Sequence, residues 1–162
     1  MSLISTDALE PARPLSILVV SGPNLNLLGR REPAIYGTLT LDEIHARLQR
    51  RAAELGCGVI PFQSNHEGAL IDVLQAHIDI AAGAILNPGG YTHTSVALHD
   101  TVRGLPFPVI EVHLSNIHAR EEFRRRSLIA PAAYGQIAGL GWYGYLAALE
   151  TLVRLANERP RP

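Results

Sequence analysis

Apolar positions along this chain switch between the period of a buried strand and the period of an amphipathic helix. Residues 15–20 form an apolar, β-branched run without a polar face, as expected of a strand covered on both sides inside a parallel sheet. A polar loop of about twenty residues follows. Leu41, Ile44, Leu48, Ala52 and Leu55 then recur at helical spacing behind Thr40 and Glu43, which have capping-box spacing, until Gly56 stops the run. Residues 59–62 predict a second strand. Ser64 and Glu67 repeat the capping-box spacing, with Leu70, Ile71, Leu74 and Ile78 as the apolar face of a second helix. Residues 83–86 predict a third strand, closed by the turn Asn87-Pro88-Gly89-Gly90. A helix over 92–102 has Thr92 or His93 near its start. A fourth strand is expected at 109–114 and, after an arginine-rich segment, a fifth at 136–140. The last helix runs from 142 to about 155, apolar at Trp142, Tyr145, Leu149 and Leu152 or Val153.

Strands alternating with helices imply a doubly wound parallel sheet, because parallel neighbours need crossover helices and the crossovers are right-handed. Five strands most often take the flavodoxin-like order 2-1-3-4-5, with helices on both faces and the switch point between strands one and three. The loops after strands one, three and four then open on one edge. One catalytic α/β domain is expected over residues 15–156, with a flexible tail at 1–14 and a frayed end at 157–162.

Composition removes several chemistries. All 14 basic Lys+Arg residues are arginines, so a lysine Schiff base, a pyridoxal anchor and a phosphate-loop lysine are impossible. The single cysteine, Cys57, rules out an internal disulfide and reads as a small apolar filler. The 162 residues, 47% hydrophobic and 18% charged, fit one ordinary domain. A net charge of −1 gives no general attraction to nucleic acid or an anionic membrane. No apolar run approaches the roughly 18 residues of a membrane helix. The start, with Asp7, Glu10, Pro11 and Pro14, lacks the pattern of a secretion signal. A cytoplasmic protein is expected.

The first loop, SGPNLNLLGRREPAIYG over 21–37, leaves the sheet at a strand's carboxyl end, where ligands bind in such folds. Tyr36 reads either as an aromatic anchor or as a general base. The second role needs its ionisation brought down from about pH 10, which a close arginine does by favouring phenolate; Arg30 and Arg31 lie in the same loop. Glu111 and His113 fall on one face of the fourth strand, where a carboxylate orients an imidazole and favours its protonated form. A satisfied strand-end histidine is the alternative. His93 is either a helix cap or a ligand contact. In the run 120–126, REEFRRR, Glu121 and Glu122 are spaced to pair with Arg125 and Arg126, which leaves Arg120 and Arg124 without a carboxylate between them. A solvated face, or an anionic or hydroxyl-rich ligand below a mobile segment, would each account for it. His45, His66, His77, His99 and His118 show no metal-ligand spacing, Gly89-Gly90 is too short to count as a dinucleotide fingerprint, and no GxSxG motif is present.

Taken together, the motifs resemble one family. Gly22-Pro23-Asn24-Leu25-Asn26, Leu28 to Pro33 and Tyr36-Gly37 are followed in order by Gln63 to Gly68, Asn87-Pro88-Gly89-Gly90, Thr92 to Ser95, Glu111 to Asn116 and His118 to Arg124. The resemblance, from about residue 15 to 155, is to type II 3-dehydroquinate dehydratase. It implies reversible loss of water from 3-dehydroquinate to give 3-dehydroshikimate through an enolate, without metal, cofactor or Schiff base. By the same resemblance Tyr36 is the base with Arg31 beside it, His113 oriented by Glu111 is the acid, and Asn24 holds a water at the enolate oxygen. Asn87, His93 and Arg124 bind substrate hydroxyls, the backbone of Leu114 and Ser115 receives the carboxylate, and Arg120 belongs to a lid. Asp100 reaches a neighbouring subunit's site in a dodecamer built of trimers. The N-terminal tail is longer than the family's usual start. A flavodoxin-like flavin or nucleotide module is the rival, and the long first loop with Pro23 and Pro33 argues against its short phosphate cradle. A catalytically silent assembly protein is a second rival; it would be expected to lack Tyr36 or His113.

Overall fold

Five strands, β1 (Ser16–Ser21), β2 (Gly58–Gln63), β3 (Gly83–Asn87), β4 (Val109–His113) and β5 (Gly135–Ala138), pair in parallel in the order β2-β1-β3-β4-β5. The structure, a computed structural model, describes residues 14–158. The expected tail through residue 13 and residues 159–162 lie outside the described residues. The helices are α1 (Pro33–Tyr36), α2 (Leu41–Glu54), α3 (Glu67–Ala76), α4 (Val96–Gly104) and α5 (Tyr143–Glu158).

Alternation along β1 divides the core. Ile17 and Val19 face α2 and α5, where they meet Ile44, Leu48, Tyr145 and Leu149. Leu18 and Val20 face α3 and α4, against Leu70, Leu74, Leu98 and Val102. Each such side chain contributes about 1.5–3 kcal/mol on burial, and the two layers explain why the first strand has no polar face. This is the doubly wound, flavodoxin-like arrangement expected from the alternation of periods. Cys57 packs half-buried against the α2 side, and burial pushes its thiol up.

Local details depart from the sequence pattern. Thr40 and Glu43 form the expected capping box at α2, but Ser64 and Glu67 do not form one at α3. Ser64 Oγ instead accepts the His66 N–H at 3.0 Å, so the chain turns before helix begins and His66 is the N-cap. Ile78 lies past the end of α3 and is 40% exposed. The helix expected from 92 starts at Val96, with Ser95 Oγ accepting from Leu98 N at 2.9 Å. Residues Gly89–His93 form a separate 3-10 turn, because Thr92 and His93 are bonded to other parts of the chain. Helix α5 continues through Asn157 and Glu158, beyond the expected boundary at 156.

Candidate active site

Close approach of two loops builds the floor of a cleft. Gly22 N–H donates to Asn87 O at 2.8 Å, and a Cβ at Gly22 would stand 2.4 Å from Pro88 O, so only glycine lets the loops after β1 and β3 touch. Asn24 follows at φ 68°, a left-handed conformation that asparagine tolerates better than most residues. Its N–H donates to Asn65 Oδ1 at 3.0 Å. Leu25 and Leu28 bury their side chains in the α2 side of the core. They anchor a loop that turns again at Glu32, φ 39°, into α1, where Pro33 occupies the first turn.

That path brings Tyr36 back over the cleft. Arg31 pairs with Glu32 at 3.3 Å, and its guanidinium lies over the Tyr36 ring, 5.2 Å from the centroid. The hydroxyl itself is bonded elsewhere: Arg120 Nη1 donates to it at 3.0 Å. This bond, which outweighs the opposing effect of burial, pushes the Arg120 guanidinium above its usual range. Arg30 is exposed and lies outside this cleft.

At the end of β4, His113 Nε2 lies 2.7 Å from Glu111 Oε1. The period of two places both side chains on one face, as expected. Glu111 is fully buried. Burial opposes its ionisation, but hydrogen bonds from His113, Thr92 and Ser127, with the imidazole's charge, hold its carboxyl below the usual range. Asn87, 3% exposed, donates to Tyr145 OH at 3.0 Å and accepts from Gly89 N at 3.1 Å, leaving one amide N–H for a ligand. Burial raises the Tyr145 phenol to about 12, with the hydrogen bond from Asn87 acting the other way. His93 donates from Nδ1 to Arg126 O at 2.7 Å, so its Nε2 is the free ring nitrogen.

The arginine-rich run corrects one expectation. Glu121 Oε2 lies 3.3 Å from both Arg120 Nε and Arg124 Nε, so this cationic pair does have a carboxylate between its members. The run folds as a 3-10 turn over Glu122–Arg124, and the i,i+4 pairing of a regular helix does not apply. Arg124 Nε is buried without an aligned hydrogen bond.

These groups enclose a cavity of about 200 Å³. Asn24, Arg31, Tyr36, Asn87, His93, His113, Leu114, Ser115, Arg120 and Arg124 all line it, together with apolar Leu25, Leu28 and Ile117. Glu111 stands behind His113. Asp100 is exposed on α4 and does not line the cavity of its own chain. Of Thr92, Ser127 and Gln136, which surround Glu111, only Thr92 is marked in the sequence, and there as a helix start and not as a partner of the carboxylate. Gln136 pairs in register with Glu111 across β4 and β5, a relation visible only once the strands are paired. Among the described residues no three of His, Cys, Asp and Glu come together as a metal site.

The cavity therefore offers a phenol flanked by two guanidiniums and an imidazole backed by a buried carboxylate. Such a site can take a proton from one position of a small polar acid and return one to another.

Comparison with known proteins places the chain among dehydroquinases. The family model described as Dehydroquinase class II matches residues 15–153. The 3-dehydroquinate dehydratase of Roseiflexus castenholzii is 58% identical over 146 residues, covering 90% of this chain and 93% of the relative. That of Agrobacterium fabrum, 3-dehydroquinate dehydratase 1, is 55% identical over 136 residues, covering 84% and 94%. The crystal structure of type II dehydroquinase from Butyrivibrio crossotus superposes with a TM-score of 0.84 at 41% identity, covering 86% of this chain and 97% of that one.

Proposed function

This chain belongs to the class II dehydroquinase family, and on that premise we propose how the residues of its cavity divide the work of dehydration. The protein is a hydro-lyase, a 3-dehydroquinate dehydratase that converts 3-dehydroquinate to 3-dehydroshikimate in the shikimate route to aromatic amino acids. Tyr36, as phenolate, takes the proton from the carbon beside the ketone, and the electron pair moves to the ketone oxygen as an enolate. Asn24 positions a water at that oxygen. His113, supported by Glu111, gives its proton to the departing hydroxyl on the opposite side, the C–O bond breaks, and the enolate electrons close the new C=C bond. One water leaves for each proton pair moved, so no oxidant or reductant is needed.

Asn87, His93 and Arg124 bind the hydroxyls, the backbone amides of Leu114 and Ser115 receive the carboxylate, and Arg120 closes over the substrate. The observation that carries the reading is the pairing of Arg120 with the Tyr36 hydroxyl in a cavity that His113 also lines. A preorganised cation at the site of a developing anion is the largest lever available to such a reaction. The reading needs no metal or organic cofactor. We further infer a homo-oligomer, a dodecamer arranged as a tetramer of trimers, acting in the cytoplasm. Exposed Asp100 on α4, outside its own cavity, and exposed apolar Val96, Phe123 and Tyr143 fit a chain covered by neighbours. Residues 15–156 form the catalytic domain in this reading.

The test is direct. Added dehydroquinate should produce growing ultraviolet absorbance from the conjugated product, unaffected by a chelator or by borohydride. Absence of that signal, or yellow flavin retained through purification, would favour the binding-module alternative.

A further inference from the structure

The Glu111 carboxylate is held by more than the imidazole it supports. Ser127 Oγ lies 2.9 Å from each of its oxygens, and with one proton it donates to either in turn. Gln136 Nε2 donates to Oε2 at 3.1 Å, and Thr92 Oγ1 donates to Oε1. Ser127 is itself fixed, because its Oγ accepts the N–H groups of Ile129 at 3.1 Å and Ala130 at 2.9 Å. Its chain neighbours are tied as well. Arg126 O accepts from His93 Nδ1 at 2.7 Å, Leu128 N–H donates to Thr92 O at 2.8 Å, and Leu128 O accepts from His99 Nδ1 at 2.6 Å.

We propose that Ser127, together with Gln136, is a positioning residue for the dehydration: it clamps the Glu111 carboxylate so that His113 presents the far edge of its ring to the cavity. The inference rests on His113 being the acid. A buried carboxylate is tolerated only when both oxygens are hydrogen-bonded, and here the donors arrive from three segments outside the dyad's own strand. Ser127 also lies three residues past Arg124, so the arginine segment ends on the acid's own support. One chain segment thereby fixes both the cationic wall of the cavity and the orientation of its proton donor.

The groups facing Glu111 are His113 on β4, Thr92 in the turn after β3, Ser127 beyond the arginine segment, and Gln136 on β5. Of these only His113 ionises. Loss of a neutral donor therefore weakens the carboxylate against its own protonation, and a neutral Glu111 no longer supports a charged imidazole.

The experiment measures kcat, KM and the pH profile of kcat for Ser127→Ala, Gln136→Leu and Ser127→Thr, and for Ser127→Ala combined with Glu111→Gln. Ser127→Ala and Gln136→Leu should each lower kcat by about ten-fold or more, the scale of a lost hydrogen bond to a charged group. KM should stay within about two-fold, and the acid limb of the profile should move to higher pH. Ser127→Thr, which keeps the hydroxyl, should recover most of the rate. In the Glu111→Gln background Ser127→Ala should cost nothing further, as for residues acting through one group. Unchanged kcat and acid limb in both single variants, or losses that add to that of Glu111→Gln, would overturn the proposal. If Ser127→Ala does not fold, Gln136→Leu carries the test, since its side chain supports no backbone turn. Full turnover in His113→Ala would remove the acid assignment itself; loss there with Ser127→Ala and Gln136→Leu intact would remove only the clamp.

Discussion

Arg120 donates a 3.0 Å hydrogen bond to the hydroxyl of Tyr36, a residue 84 positions earlier in the chain. Arg31, from the tyrosine's own loop, stacks on the ring face instead. Both guanidiniums lie over the ring, Arg120 at 5.5 Å from its centroid, but Arg120 also donates to the oxygen where negative charge forms.

Arg120→Met should lower kcat/KM by about 10–100-fold, the scale of one charge-assisted hydrogen bond lost from a developing anion. Arg120→Lys should recover only part of it, because an ammonium cannot reproduce the planar fork that also faces Glu121. Steady-state kinetics on the three proteins decide this. Equal kcat/KM in wild type and Arg120→Met would remove Arg120 from the reaction.

His113→Ala should reduce turnover far more than binding, since the imidazole is needed when the C–O bond breaks. Glu111→Gln should follow in the same direction with a smaller loss, because the amide keeps the volume but not the charge. Comparing kcat with the dissociation constant of the substrate measures the split. A large change in affinity with unchanged kcat would contradict the assignment of His113 as acid.

How much of this was readable beforehand depended on the range of each interaction. The two-residue period that joins Glu111 to His113 is local, and so is the apolar run of β1; both survive in the folded chain. Tyr36 could be singled out because its loop is long and carries its own arginines. Its true hydroxyl partner could not, since Arg120 reaches it only through two 3-10 turns that no periodicity announces. Ser64 and Thr92 misled for the opposite reason. Each has the composition of a helix start, but a side-chain bond to His66 N in one case and to Glu111 in the other draws the backbone out of the helix. Ser127 and Gln136 carry no signal at all until β4 and β5 are paired and the loop between them is closed.

Tyr145 makes an alkaline prediction. Its folded phenol, raised to about 12 from 10 by burial, stays protonated where the unfolded chain ionises. This contribution is fully present below pH 10 and is lost as pH rises through 12, a change on the order of a few kcal/mol. Tyr145→Phe should cost about 1–3 kcal/mol at neutral pH, because Asn87 loses a buried acceptor, and should unfold less steeply between pH 10 and 12. Urea midpoints at several pH values measure both effects. Parallel stability curves for the two proteins would mean that the buried phenol is not what drives alkaline unfolding.

The most direct measurement is turnover of Tyr36→Phe, a change that removes one oxygen and keeps the ring on which Arg31 stacks. The variant should fold with an unchanged melting temperature and bind dehydroquinate by calorimetry with near wild-type affinity, while forming almost no product. Wild-type turnover from the phenylalanine enzyme would show that the proton is taken by some other group.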